Sequence, residues 1–144
     1  MVEHRIHVFI SHSWRHSHHY ETLRRWLRET DWRAGRARLL FCDHSVSRER
    51  RIPGVRSGAA LSRRLKSKIA RCHVVVIPTG IYASLSPWMQ VEIELAEALG
   101  KPILAVDLRG ARRTSTVVSQ AAATIVGWRA ASVASGIWRL FRDR

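Results

Sequence analysis

Glu92 is the residue whose type and position most clearly suggest chemistry. It lies in the stretch 86–102, SPWMQVEIELAEALGKP, which predicts an amphipathic helix with Ser86 as N-cap, Pro87 as first helical residue and Gly100 as the stop. On a helical wheel of about 100° per residue, Glu92 falls inside the apolar arc. An unpaired charge in apolar surroundings is costly, so this carboxylate is a candidate for a functional rather than a packing role.

The elements that position this helix follow an alternation of strand and helix patterns. Apolar runs predict five strands, at Arg5–Ile10, Ala37–Cys42, His73–Ile77, Pro102–Val106 and Thr124–Trp128. Parallel neighbours require crossover connections, so five strands separated by helices predict a parallel sheet covered on both faces. The expected fold is a doubly wound α/β domain spanning residues 1–144 as a single unit.

Two polar segments are expected to meet at the carboxyl edge of this sheet. In doubly wound sheets, ligands bind beyond the carboxyl ends of the strands where the winding reverses, which is between the first and third strands in a flavodoxin-like order. Residues 11–14 (SHSW) follow the first strand, and residues 78–88 follow the third. Glu92, in the second turn of its helix, should lie at the same edge. Asp107, after the fourth strand, is interpreted as a turn residue.

The strong positive charge does not by itself indicate a nucleic-acid-binding protein. The chain has 25 basic and 11 acidic residues, for a net charge of +14. Arginines are scattered through every segment, and aromatic residues do not alternate with them as in known RNA- or DNA-binding patterns. Specific nucleic-acid binding is therefore not favoured, although the charge can attract a phosphate-bearing small molecule.

Membrane insertion, disulfides and metal binding are also not favoured. The sequence lacks a run of the ~20 apolar residues that a membrane span needs, and its start lacks a signal-peptide pattern, so a cytoplasmic protein is expected. Cys42 and Cys72 have no ligand-like spacing, which predicts reduced thiols. His16, His18 and His19 lack a suitable fourth ligand, so no metal is expected.

Several motifs together resemble the TIR-like domain family, which includes the sensor subunit of Thoeris anti-phage systems. They are VFISHSW, FCDHSV, CHVVVIPTGIYASLSPWMQVEIELA, KPILAV and IVGW, in this order over roughly Arg5 to Phe141. The resemblance implies a flavodoxin-like fold and cleavage of NAD at the nicotinamide–ribose bond. It further implies that the ADP-ribosyl unit becomes a nucleotide second messenger that activates a separate effector protein, in response to a phage-derived trigger.

The resemblance also implies the site residues. The catalytic glutamate of the family lies in a Trp-x-x-x-Glu motif, which here begins at Trp88 and ends at Glu92, the residue that the helical wheel had already singled out. The residues expected to bind the substrate are those of the loops after the first three strands and of the motif itself: Ser11, Trp14, Asp43, Tyr82 and Trp88. Arginines of the 48–56 loop are candidates for the pyrophosphate.

The implied chemistry needs one carboxylate. Nicotinamide leaves as a neutral molecule, so positive charge develops on the ribose, and a nearby carboxylate stabilises that oxocarbenium-like state. NAD is then the substrate and no separate cofactor is expected. Because TIR enzymes commonly complete their sites with a neighbouring subunit, a homo-oligomer is expected in the active state.

One alternative function and one purely structural interpretation of Glu92 remain open from the sequence, and a second alternative function is not favoured. A non-enzymatic TIR-like module that signals by self-association would keep the fold without needing Glu92. A phospho-receiver would need acidic residues after the first strand, where the chain has Ser11 and Ser13 with His12 between them. Glu92 itself could lie at the border of the apolar face of its helix and pair with an arginine.

Overall fold

The computed structural model describes residues 2–11, 17–44, 58–79, 87–108 and 116–144. The strands are β1 (Val2–Ile10), β2 (Trp32–Ala34), β3 (Ala37–Asp43), β4 (Val74–Thr79), β5 (Ile103–Asp107) and β6 (Thr124–Gly127). The helices are α1 (Ser17–Glu29), α2 (Gly58–Ala70), α3 (Pro87–Ala98), α4 (Thr116–Ala121) and α5 (Ala130–Arg142).

The strands form one sheet with the order β2-β3-β1-β4-β5-β6. All neighbours pair in parallel except β2, which is antiparallel to β3. The chain moves from β1 to β3 on one side and then to β4 on the other, so the winding reverses at β1. The fold is therefore flavodoxin-like α/β, and the five predicted parallel strands are confirmed.

The short strand β2 was not expected from the sequence. It joins β3 through a two-residue loop, with Ala34 opposite Ala37 in the register. Gly35 has a φ of +60°, as two-residue hairpin loops require. A three-residue strand carries too little alternation to be recognised by pattern, so Gly35 was its only local signal.

Helices cover both faces of the sheet, and each face has its own apolar core. The α1–α5 core joins the sheet to α1 and α5, and the α2–α4 core joins it to α2, α3 and α4. β4 is buried along its whole length, as its continuous apolar run predicts for a strand covered on both faces. None of the described helices combines the length and apolar character that crossing a bilayer requires.

The ends of α3 follow from local sequence. The helix begins at Pro87 as predicted, whereas the predicted N-cap Ser86 lies outside the described residues. At the other end, Lys101 N donates to Ala96 O at 2.8 Å and Gly100 N donates to Glu97 O at 3.1 Å. This is a Schellman motif with Gly100 in the left-handed region, at a φ of +67°.

The two cysteines are free thiols. Cys72 is buried in the α2–α4 core, and its Sγ donates to Lys68 O at 3.2 Å. Burial, with a smaller contribution from the Asp43 charge, raises the pKa of the Cys72 thiol to about 12. Because the thiolate is the nucleophile, Cys72 is a packing residue and not a reactive one.

Replacement of Gly100 tests the helix stop. Gly100→Ala should lower the free energy of unfolding by about 1–2 kcal/mol, because a Cβ in the left-handed region is strained. Urea denaturation followed by circular dichroism measures the change. Gly127→Ala is the matched control, since no positive φ is found there and the added Cβ would meet nothing within 4 Å. Equal losses in the two variants would contradict the assignment.

Candidate active site

Three polar residues end neighbouring parallel strands at the carboxyl edge of the sheet. Ser11 follows β1, Thr79 ends β4 and Asp107 ends β5. Each lies two positions after a residue of the α2–α4 core, namely Phe9, Ile77 and Ala105. Because side chains alternate between the two faces of a sheet, all three residues belong to the face that α3 covers. Ser11 is fully buried, and its N donates to Val76 O at 2.8 Å, which continues the pairing of β1 with β4.

Glu92 is fully buried on α3, with 0% of its surface exposed. It shares the buried side of the helix with Met89, Ile93 and Ala96, which pack in the α2–α4 core. α3 starts at the carboxyl edge, where β4 ends, so Glu92 lies about 8 Å along the helix from that edge at a rise of about 1.5 Å per residue. The placement expected from the helical wheel is confirmed: Glu92 is within the apolar arc.

The other acidic side chains of α3 differ from Glu92. Glu94 and Glu97 are exposed, and Gln90 Nε2 donates to Glu94 Oε1 at 3.4 Å on the solvent side of the helix. A routine amphipathic helix would place all its carboxylates there. Only Glu92, among the acidic residues of α3, is excluded from water.

Asp43 lies on the opposite face of the sheet from Ser11 and Glu92. In β3 it shares one face with Leu39 and Phe41, at every second position, and these two residues pack in the α1–α5 core. Its Oδ2 accepts a hydrogen bond from the Tyr20 hydroxyl of α1 at 2.5 Å, and the residue is exposed. The structure therefore brings Ser11 and Glu92 to one face and does not bring Asp43 to it.

The remaining predicted substrate-binding residues are not placed. Trp14 and Tyr82 lie outside the described residues, as does the 48–56 loop with the arginines expected to bind phosphate. Trp88 is the second residue of α3, one turn before Glu92; only its backbone is described. The roles of all these residues stay predictions.

Thr79, which belongs to the 78–88 segment expected at the carboxyl edge, and Asp107 are polar edge residues that were not among the predicted site residues. Asp107 is not a turn residue: it is the last residue of β5, paired in register with Thr79 on one side and Gly127 on the other. Thr79 is 2% exposed, and its carbonyl accepts a hydrogen bond from Leu108 N at 2.7 Å. The available signal was a polar residue at the end of a fully apolar strand run, the same signal that had identified Ser11.

A second polar cluster consists of His7 of β1, His44 directly after β3 and His73 directly before β4. His7 Nδ1 and His44 Nε2 are hydrogen-bonded at 2.6 Å, and His7 N donates to His73 Nδ1 at 3.0 Å. Burial lowers the pKa of His44 and His73, and the neighbouring His7 lowers both further, together with Lys68 for His44 and Arg144 for His73. Within the described ranges, no group of three or more His, Cys, Asp or Glu side chains is arranged to hold a metal ion.

Comparisons with known proteins agree with this fold. The family model described as "Thoeris protein ThsB, TIR-like domain" matches residues 9–113, which is more than half of the chain. The sequence has no significant match among curated proteins.

Two solved structures are similar in fold. The Clostridium botulinum CMP N-glycosidase BcmB is 15% identical, with 91% of this chain and 97% of that chain covered and a TM-score of 0.53. A 3-dehydroquinate dehydratase-like protein from Bifidobacterium longum is 14% identical, with 99% and 97% covered and a TM-score of 0.50. At these identities the similarity shows the shared fold alone.

The histidine cluster makes stability depend on pH. His44 and His73 have folded-state pKa values below their ordinary value of 6.5, so at low pH the unfolded state binds more protons than the folded state. This contribution to stability is fully present above pH 6.5 and is lost as the pH falls below it. The free energy of unfolding should therefore decrease from pH 7.5 to pH 5.5, as measured by urea denaturation at a series of pH values.

Variants assign that slope to the cluster. A His44→Gln, His73→Gln double variant should flatten the pH dependence, because neither glutamine titrates. His4→Gln is the control: His4 packs against Trp138 and Phe141 of α5 and takes no part in the hydrogen bonds of the cluster, although Phe141 also contacts His73. This variant should keep the wild-type slope. An unchanged slope in the double variant would contradict the interpretation.

Proposed function

Because the chain belongs to the Thoeris ThsB TIR-like domain family, we propose that it is an enzyme that cleaves NAD at the nicotinamide–ribose bond, with Glu92 as the catalytic carboxylate. The observation that carries the proposal is the burial of Glu92 on α3, on the face where Ser11, Thr79 and Asp107 end their strands. Glu92 also ends the Trp-x-x-x-Glu motif that begins at Trp88.

The reaction breaks the bond between the ribose C1′ and the nicotinamide nitrogen. The bonding electron pair leaves with nicotinamide, which becomes neutral, and the ribose acquires the positive charge. A carboxylate held in a water-poor environment stabilises that charge more strongly than one in bulk water. Water or a hydroxyl of another molecule then adds to C1′ and loses a proton, which completes hydrolysis or transfer.

Substrate access requires a rearrangement. Solvent does not reach Glu92 in this structure, so the ribose can contact it only after neighbouring groups at the carboxyl edge move aside. We infer that the described state is a resting state, which suits a sensor that responds to a phage-derived trigger. Self-association into a homo-oligomer is the proposed route to the active state.

Signalling to a separate effector is the proposed consequence of catalysis. The ADP-ribosyl unit left after nicotinamide departs would be converted into a diffusible nucleotide that binds the effector. A second candidate function is a non-enzymatic module that acts by self-association alone. The burial of Glu92 favours the enzyme, because an exposed carboxylate at the same helix position would serve a scaffold equally well without the desolvation cost.

Substitution of Glu92 tests the catalytic assignment. Glu92→Gln keeps the size and removes the charge, and it should reduce nicotinamide release from NAD by at least about 100-fold, the scale of one electrostatic group in an active site. Release is measured by liquid chromatography with mass detection, in buffer and with an extract of phage-infected cells. The same assay should include CMP, since one structural neighbour is described as a CMP N-glycosidase.

Glu94→Gln is the matched control, because it makes the same change at an exposed position two residues away on the same helix. It should retain wild-type release. Undiminished release by Glu92→Gln would remove the catalytic assignment. Self-association in the extract with no release of nicotinamide or of cytosine would favour the scaffold function.

A further inference from the structure

We propose that Asp107 is a substrate-binding residue whose carboxylate accepts hydrogen bonds from the vicinal hydroxyls of a ribose. The inference rests on the proposed function, because it names a contact of the same nucleotide substrate. Asp107 ends β5 on the α3-covered face of the sheet, two strands away from β1, where Ser11 lies. At about 4.8 Å per strand, the two residues mark positions roughly 10 Å apart along the carboxyl edge.

The first observation concerns the hydrogen bonding of Asp107. Its Oδ1 is buried and has no hydrogen-bond partner among the residues that the structure describes. Leaving a buried polar atom unsatisfied costs about 1–3 kcal/mol, and native structures contain few such atoms. The residue as a whole is only partly buried, so a ligand that displaces the groups covering Oδ1 can satisfy it.

The second observation concerns charge. The chain has 25 basic and 11 acidic residues, so arginine partners are abundant. Four exposed acidic residues of the described part pair with arginine: Glu3, Glu21, Asp31 and Asp143. No ion pair involving Asp107 is found in that same part of the chain. Among the described residues this carboxylate is left without a cation, which leaves it available for a neutral donor.

The third observation concerns space beside Asp107. On the β6 side its register partner is Gly127, which belongs to the same face because Val126 packs in the opposite core. A Cβ built on Gly127 would meet no atom of the described residues within 4 Å. On the β4 side the partner is Thr79, which is 2% exposed and fills its own position. The room for a ligand is therefore on the Gly127 side.

The chemistry of the ligand follows from these three points. An ionised carboxylate is acceptor-only, so the ligand must present donors. The vicinal hydroxyls of a ribose supply two O–H donors for the two carboxylate oxygens, and an acidic residue that binds ribose hydroxyls recurs in other nucleotide-binding α/β folds. A dinucleotide has two riboses, so one can contact Glu92 while the other contacts Asp107.

The test measures NAD binding by calorimetry in the Glu92→Gln background, in which the substrate is not consumed. Adding Asp107→Asn should raise the dissociation constant at least about tenfold, because a hydrogen bond to a charged acceptor is lost. Adding Asp143→Asn, the same change at an exposed residue paired with Arg142, should leave it unchanged. A dissociation constant that Asp107→Asn leaves unchanged would overturn the inference, even if this variant lowers the melting temperature.

NAD analogues lacking one ribose hydroxyl give an independent readout that needs no change at Asp107. In the Glu92→Gln protein, at least one deoxy analogue should bind about tenfold more weakly than NAD. Adding Asp107→Asn should abolish that difference. Equal binding of all deoxy analogues would overturn the inference. AMP and nicotinamide mononucleotide each carry one of the two riboses of NAD and can be tested as competitors of NAD binding. The mononucleotide whose competition is lost in Asp107→Asn contains the ribose that Asp107 binds.

The outcomes separate the two proposals. Nicotinamide release that depends on Glu92 but not on Asp107, with unchanged binding, removes only the present inference. NAD binding that depends on Asp107 without any nicotinamide release removes the proposed function and keeps the binding site. Absence of NAD binding at millimolar concentration overturns the inference.

Discussion

The fixed orientation of α3 about its own axis is the constraint on which the site depends, because it decides which side chains of the helix face the sheet. Met89, Ile93 and Ala96 pack into the core between the helix and the sheet, and Glu92 is buried because it shares their side of the helix. Burying a large apolar side chain is worth about 1.5–3 kcal/mol, so the packing of these residues fixes which side of the helix faces the sheet. A rotation by one residue would forfeit that packing and would move Glu92 out of its buried position.

The sequence predicts the elements that have strong local signals. Continuous apolar runs locate the parallel strands, and Pro87 and Gly100 locate the ends of α3, because these residues act through their own backbone geometry. β2 has no such run and was missed. The side chain of Asp43 was placed by resemblance to a loop, although alternation with Leu39 and Phe41 already assigns it to their face. Which face α3 covers is a property of the crossover connections, so only the structure separates Asp43 from Ser11.

The positive charge of the chain does not hold the fold together. Ion pairs such as those of Arg38 with Glu3 and Asp31 join exposed side chains, and exposed pairs contribute about 0–1 kcal/mol each. Stability comes instead from the two apolar cores on the faces of the sheet. The excess of arginine can act at long range, where a net charge of +14 favours the approach of anionic molecules.

Burial of Glu92 also limits how the proposed NAD cleavage can be switched on. In that proposal the ribose must come close to a carboxylate that solvent does not reach, which calls for a second, open state. Shifting such an equilibrium from 1:99 to 99:1 requires a ligand that binds the open state about 10⁴-fold more tightly. A small substrate that makes most of its contacts only after opening can supply part of this preference. The proposed self-association would supply the rest if a neighbouring copy of the chain binds only the open form.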